Sequence, residues 1–184
     1  MKITRPIRAV LFDMDGVMVD SEFVYMKYLL EFAKEKNPAV TMEDINQMVG
    51  RSRQDSWTVM ERAVNNGESW ETLIKEWADR DIYSRIDYRK IFRPEMKTTV
   101  QELKRRGYTV ALVSSTGPKL ISRIVEEVGM RPEFDLIVSG KQFKQSKPNP
   151  EIYHYTADTL GIREDECFVV EDSTVGIEAA YRAG

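Results

Sequence analysis

The chain has 184 residues, 42% hydrophobic and 31% charged, with a formal net charge of −3. That is enough apolar material for one domain, or a domain with an insertion, and the acidic balance argues against a general nucleic-acid or membrane-surface role. No apolar run approaches the ~18–20 residues of a membrane span, and Met1-Lys2-Ile3-Thr4-Arg5-Pro6 has no signal-peptide core. A single cysteine, Cys167, excludes an internal disulfide framework and makes a reducing cytoplasm the expected location. With one histidine, His154, it also argues against a dedicated zinc site.

The first element is Ala9 to Phe12, an apolar run without alternation, as expected for a strand buried on both faces of a parallel sheet. It ends on Asp13 and Asp15, with Gly16 next to permit a sharp turn. Ligands bind at the carboxyl ends of strands in open α/β sheets, and two acids placed there need a cation or a shared proton.

A helix is expected over about 22–36, with Phe23, Met26, Leu30 and Ala33 on its buried face, stopped by Asn37-Pro38. Thr41 to Asp44 reads as a capping box for a helix burying Met42, Ile45, Met48 and Val49. Helical patterns follow over Arg53–Val64 and from Ser69 to about Asp79, then a less regular piece with Ile82, Tyr83, Ile86 and Tyr88. No strand pattern interrupts them. Residues 20–92 are therefore read as an inserted helical unit, with Trp57, Trp70 and Trp77 as its small core. Residues 1–19 and 93–184 form the sheet domain.

From Arg93-Pro94 helix and strand patterns alternate, the mark of parallel βαβ units. A helix over Thr98–Arg106 precedes a strand over Tyr108–Val113 that ends on Ser114-Ser115-Thr116-Gly117. Pro118 opens a helix burying Leu120, Ile121, Ile124, Val125 and Val128. A third strand, Phe134–Val138, leads into a polar loop carrying Lys147, and Pro148-Asn149-Pro150 begins the next helix. Cys167–Val170 is the fourth strand, with Cys167 expected in the core. It ends on Glu171 and Asp172, and Ser173 caps the last helix.

In a parallel sheet these strand ends converge. Four carboxylates, a lysine and donor-rich turns would then share one pocket, and clustered carboxylates call for a divalent cation. All-oxygen donors with room for water suit magnesium, and that combination suits a phosphoryl group.

Asp13-Met14-Asp15-Gly16-Val17, Val113-Ser114-Ser115-Thr116, Lys147-Pro148 and Val170-Glu171-Asp172-Ser173 resemble the four ordered motifs of the haloacid dehalogenase superfamily. The branch resembled most is that of sugar-phosphate phosphatases and β-phosphoglucomutase, with a helical cap after the first motif. The resemblance covers essentially the whole chain. It implies a doubly wound, Rossmann-like α/β core with Mg2+ as cofactor. Asp13 would be the nucleophile and Asp15 the general acid and base. Ser114 and the Ser115 amide would hold phosphoryl oxygens, with Thr116 in the same turn, and Lys147 would neutralise charge. The metal would be held by Asp13, the Asp15 carbonyl and Asp172, with Glu171 behind them or an occasional ligand. Arg53 matches a cap position that contacts the far end of the substrate.

Two departures from the family pattern matter. Tyr25 stands where β-phosphoglucomutase carries a histidine that handles protons, and a phenol with a pKa near ~10 cannot replace it at neutral pH. This favours a Mg-dependent phosphatase of a small phosphorylated metabolite over a sugar-phosphate mutase. The chain also stops at Gly184, where family members continue with another strand and helix, so a fragment with an open sheet edge is expected. Receiver-type signalling modules share an acidic cluster and a lysine, but they lack an inserted cap and carry the phospho-acceptor on a later strand. A non-catalytic binding relative remains the other alternative, and oligomeric state is open.

Overall fold

The computed structural model describes residues 6–184. Four strands, β1 (Ala9–Phe12), β2 (Thr109–Ser114), β3 (Leu136–Ser139) and β4 (Cys167–Val170), form a parallel sheet in the order β3-β2-β1-β4. Ala9 lies opposite Thr109 and Cys167, and Ser114 lies opposite Ser139. The chain steps outward from β1 to β3 and then returns to the far side of β1 for β4. The carboxyl end of β1 therefore sits where the strand order reverses, which is where doubly wound sheets open a crevice.

Helices α1 (Ser21–Lys36), α2 (Met42–Asn46), α3 (Arg53–Val64), α4 (Trp70–Ala78) and α5 (Ile82–Arg85) follow β1 directly. The remaining helices, α6 (Glu95–Arg105), α7 (Pro118–Glu127), α8 (Glu151–Leu160) and α9 (Thr174–Ala183), alternate with the later strands. The protein is thus an α/β fold. None of the helices is long and apolar enough to cross a membrane, among the described residues.

The chain divides into two compact units, one running through Asp20 and resuming over Asp87–Gly184, the other Ser21–Ile86. In the first, strand alternation sends Leu11, Ala111, Val113 and Val138 to one face, where they bury Ile152 and Tyr153 of α8 and Ala179 of α9. Val10, Phe12, Val110 and Leu112 point the other way; α6, packed on β2, and α7, packed on β3, bury Met96, Val100, Ile121, Ile124 and Val125.

β3 begins two residues later than its apolar pattern suggests. Asp135 accepts from the Val110 N–H through Oδ2 at 2.9 Å and donates its own N–H to the Val110 carbonyl at 2.9 Å. A side chain replaces a ladder partner there. α6 begins earlier than expected, at Glu95, because Pro94 (φ −62°) already supplies helical backbone.

β4 is an edge strand. Phe168 remains 45% exposed and Cys167 is half-buried rather than in the core. An apolar groove of about 680 Å³ runs beside it, lined among others by Leu11, Tyr153, Val169, Ile177 and Ala180.

In the second unit, Phe32, Trp57 and Trp77 meet with ring centroids 5.5–6.4 Å apart. Trp70 is only half-buried against them. α1 buries Met26, Leu29, Phe32 and Ala33, so its inward stripe is rotated from the expected one; Phe23 is 56% exposed, with the Lys27 ammonium over its ring. The apolar residues of α1 occupy more than one face, and aromatic packing selects among them. Thr41 and Asp44 close the capping box at α2, where Ile45 and Met48 are buried and Val49 is not.

Candidate active site

β1 delivers Asp13 to the crevice, and the ladder continues one step through the Asp13 N–H to the Val170 carbonyl at 3.0 Å. The chain then turns sharply. Gly16 adopts φ +77°, and its N–H donates to the Val19 carbonyl at 2.8 Å. A Cβ at Gly16 would fall 1.7 Å from Asp172 Oδ2, so only glycine lets the Asp172 carboxylate reach the turn that carries Asp15.

Lys147 joins the strand ends. Its Nζ donates to Asp13 Oδ1 and Glu171 Oε1, both at 2.7 Å, and to the Val113 carbonyl at 3.2 Å. The three side chains are almost inaccessible, at 4%, 10% and 3% exposure for Lys147, Asp13 and Glu171. Burial pushes the Asp13 carboxyl up to about 6, against the pull of Lys147. Burial works to lower the Lys147 pKa, but the charge and hydrogen bonds of Asp13 and Glu171 outweigh it and hold the ammonium above its ordinary value. Glu171 is held below its usual range, because donation from Lys147 and Ser173 outweighs its burial. Asp172 is raised, first by burial and then by the charges of Glu171 and Asp15.

At the end of β2, Ser114 is fully buried and its Oγ accepts from the Thr116 N–H at 3.0 Å, while Ser115 is exposed. Thr116 Oγ1 donates to Asp15 Oδ2 at 2.8 Å. The turn is held from behind by Ser139, whose hydroxyl donates to the Thr116 carbonyl at 2.6 Å. Gly140 lets that loop approach closely, since a Cβ there would lie 3.1 Å from Ser115 Cα. Ser139 and Gly140 brace the turn without being among the expected site residues, and the signal that points to them is a Ser-Gly pair at a strand end.

The residues fit a hard divalent cation in part through side chains and in part through backbone. Among the described residues no group of three or more His, Cys, Asp or Glu side chains is gathered as a metal cluster. Asp13 and Asp172 offer two carboxylates, and magnesium, which keeps several waters, takes no more than one or two from a protein. Glu171 is otherwise engaged: Oε1 accepts from Lys147, and Oε2 from the Ser173 N–H and hydroxyl, each at 2.9 Å.

Arg53 belongs to the other unit, exposed at the start of α3, where Ser52 caps the helix by accepting from the Asp55 N–H at 3.2 Å. Tyr25, in the same unit, accepts from Trp77 Nε1 at 3.0 Å. His154, on the first turn of α8, pairs with Glu164 at 2.9 Å.

Residues 10–184 match the family described as haloacid dehalogenase-like hydrolase. The chain belongs to this family. A phosphorylated carbohydrates phosphatase of Thermotoga maritima is 27% identical over 180 residues, covering 97% of this chain and 82% of that protein. Hexitol phosphatase B of Escherichia coli K12 is 26% identical over 187 residues, covering 100% and 83%. A solved β-phosphoglucomutase from Clostridium difficile shares the fold with a TM-score of 0.67 and 23% identity, covering 96% of this chain and 81% of that one.

Proposed function

We propose that the chain is a magnesium-dependent phosphomonoesterase acting on a small phosphorylated metabolite, a sugar phosphate being the favoured class. The observation that carries this reading is the buried Asp13–Lys147–Glu171 chain of ion pairs at the strand ends, beside a turn rich in N–H and O–H donors. Phosphoryl transfer needs a nucleophile held in line and charge neutralisation around the phosphorus, and little else.

Asp13 Oδ attacks phosphorus and forms an aspartyl-phosphate, splitting the reaction into two steps. Asp15 protonates the leaving oxygen, then takes a proton from the water that attacks the same phosphorus. Ser114 and the Ser115 N–H hold phosphoryl oxygens, and Lys147 balances the charge gathered between nucleophile and phosphate. Thr116 fixes Asp15. A magnesium ion held by Asp13, the Asp15 carbonyl and Asp172 would supply further neutralisation of the phosphoryl oxygens. Arg53 offers a planar, permanently charged group suited to a second anionic function on the substrate.

The names of the relatives, phosphatases of phosphorylated carbohydrates and of hexitols, support the substrate class. A β-phosphoglucomutase-like reaction is the second reading, favoured by Arg53. The Tyr25 hydroxyl, engaged by the Trp77 N–H, speaks against it as a proton carrier. The single cysteine favours the cytoplasm as the proposed location, and the net charge of −3 argues against nucleic acid or a membrane surface as partner.

Steady-state phosphate release from a panel of sugar and nucleotide monophosphates tests the reading. Metal-dependent release, abolished by chelator and by Asp13→Asn, is the expected result. Isomerisation of a sugar phosphate without release would favour the mutase.

A further inference from the structure

One buried group in the sheet domain takes no part in the chemistry above. Tyr153, on the first turn of α8, is 2% exposed, and its hydroxyl has no hydrogen-bond partner. Its ring lies beneath the Lys147 ammonium, with Nζ 5.2 Å from the ring centroid. That lies within the range, up to about 6 Å, at which an aromatic face attracts a cation.

An ammonium has three N–H donors, and all three are spent on Asp13, Glu171 and the Val113 carbonyl. With all three donors engaged, the ring face is the part of Tyr153 that the ammonium meets. Lysine reaches the site on a flexible four-carbon stem, whose freedom must be given up to keep the ammonium on its three acceptors. A rigid, buried ring against the ammonium narrows that freedom further. Burial pushes the phenol up to about 12, so the ring stays neutral near neutral pH.

Resting on the phosphatase reading, we infer that Tyr153 is a positioning residue: its aromatic face holds Lys147 against Asp13 and Glu171, and its hydroxyl is dispensable.

The test is a series at one position. Tyr153→Phe is the reference, followed by mono-, di- and trifluorinated phenylalanine, which drain the ring face while nearly preserving its shape. Tyr153→Phe is expected to keep kcat within about threefold, and the trifluorinated ring to lower it by about tenfold with KM little changed, in proportion to the weakened cation–ring attraction. A merely space-filling role would leave the series flat, and that result would overturn the inference. So would a loss in Tyr153→Phe as large as in the trifluorinated chain, because the hydroxyl would then be the operative group.

A second readout needs no turnover. Denaturant midpoints should fall along the series in the Lys147 chain and stay level in a Lys147→Met background. Level midpoints in both backgrounds would overturn the contact even in an active enzyme. Coupled midpoints in a chain that releases phosphate from no substrate would sink the phosphatase reading and leave the contact standing.

Discussion

Thr116 Oγ1 donates to Asp15 Oδ2 at 2.8 Å, and the Thr116 carbonyl is itself held by Ser139 at 2.6 Å. The end of β3 thereby sets the turn after β2, which in turn aims the carboxylate assigned to proton transfer after β1. A hydrogen bond to a charged group contributes about 1.5–3 kcal/mol, so removing it should cost orientation at the step that Asp15 serves. Thr116→Val is expected to lower kcat by about tenfold or more with little change in KM, and Thr116→Ser to restore most of it. Steady-state kinetics of the two variants check this.

Gly176 lies in the first turn of α9, where alanine would ordinarily help a helix by about 1 kcal/mol. Here a Cβ would fall 1.7 Å from Glu171 Oε1 and 1.9 Å from its Cδ. Glu171 would have to leave its seat and abandon both Lys147 and Ser173. Gly176→Ala should therefore fold, with a denaturant midpoint no higher than the parent, and lose at least about tenfold in kcat. Unchanged turnover would mean that Glu171 is not needed where it sits.

Asp135 provides a pH-dependent element of the sheet. Burial tends to raise its pKa, but the Val110 N–H and Lys104 outweigh it and hold the group below its ordinary value of 3.8. A depressed folded value adds stability above the unfolded pKa, and that stability is lost as pH falls through the folded one. With the side chain 38% exposed, solvent screening limits the effect to about 1 kcal/mol. Urea midpoints of the parent and Asp135→Asn should differ at neutral pH and draw together only as pH falls below the ordinary carboxylate value of 3.8 and through the lower folded one.

Tyr25 carries a phenol raised above its ordinary value, by burial foremost, and it accepts from the Trp77 indole N–H. Tyr25→Phe leaves that buried donor without a partner, which costs about 1–3 kcal/mol. Phosphate release should persist within a few-fold, measured beside a urea titration. A loss of about 100-fold with stability intact would instead place Tyr25 in proton transfer.

Legibility followed the physics of each element. β1 was readable because a strand buried on both faces has no alternation, and its two terminal carboxylates have few structural uses. Asp13, Lys147 and Glu171, one from each of three distant segments, could be grouped because parallel topology brings strand ends together, and the structure joins them by ion pairs. What escaped was set by tertiary packing. Phe23 and Leu29 are equally apolar, and only the aromatic cluster of the helical unit decides which turns inward. Cys167 reads as core, yet β4 lies at an edge. Ser139 and Tyr153 look like an ordinary strand end and an ordinary helix residue until their contacts with Thr116 and Lys147 are seen.

If Asp13 takes the phosphoryl group, the aspartyl-phosphate can be trapped during turnover. Acid-quenched turnover mixtures, reduced with borohydride, convert an acyl phosphate to homoserine at the phosphorylated position, which peptide mass spectrometry then locates. Homoserine is expected at residue 13, dependent on substrate and absent from Asp13→Asn. Phosphate release with no modified residue, or with the modification at Asp15 or Asp172, would contradict it.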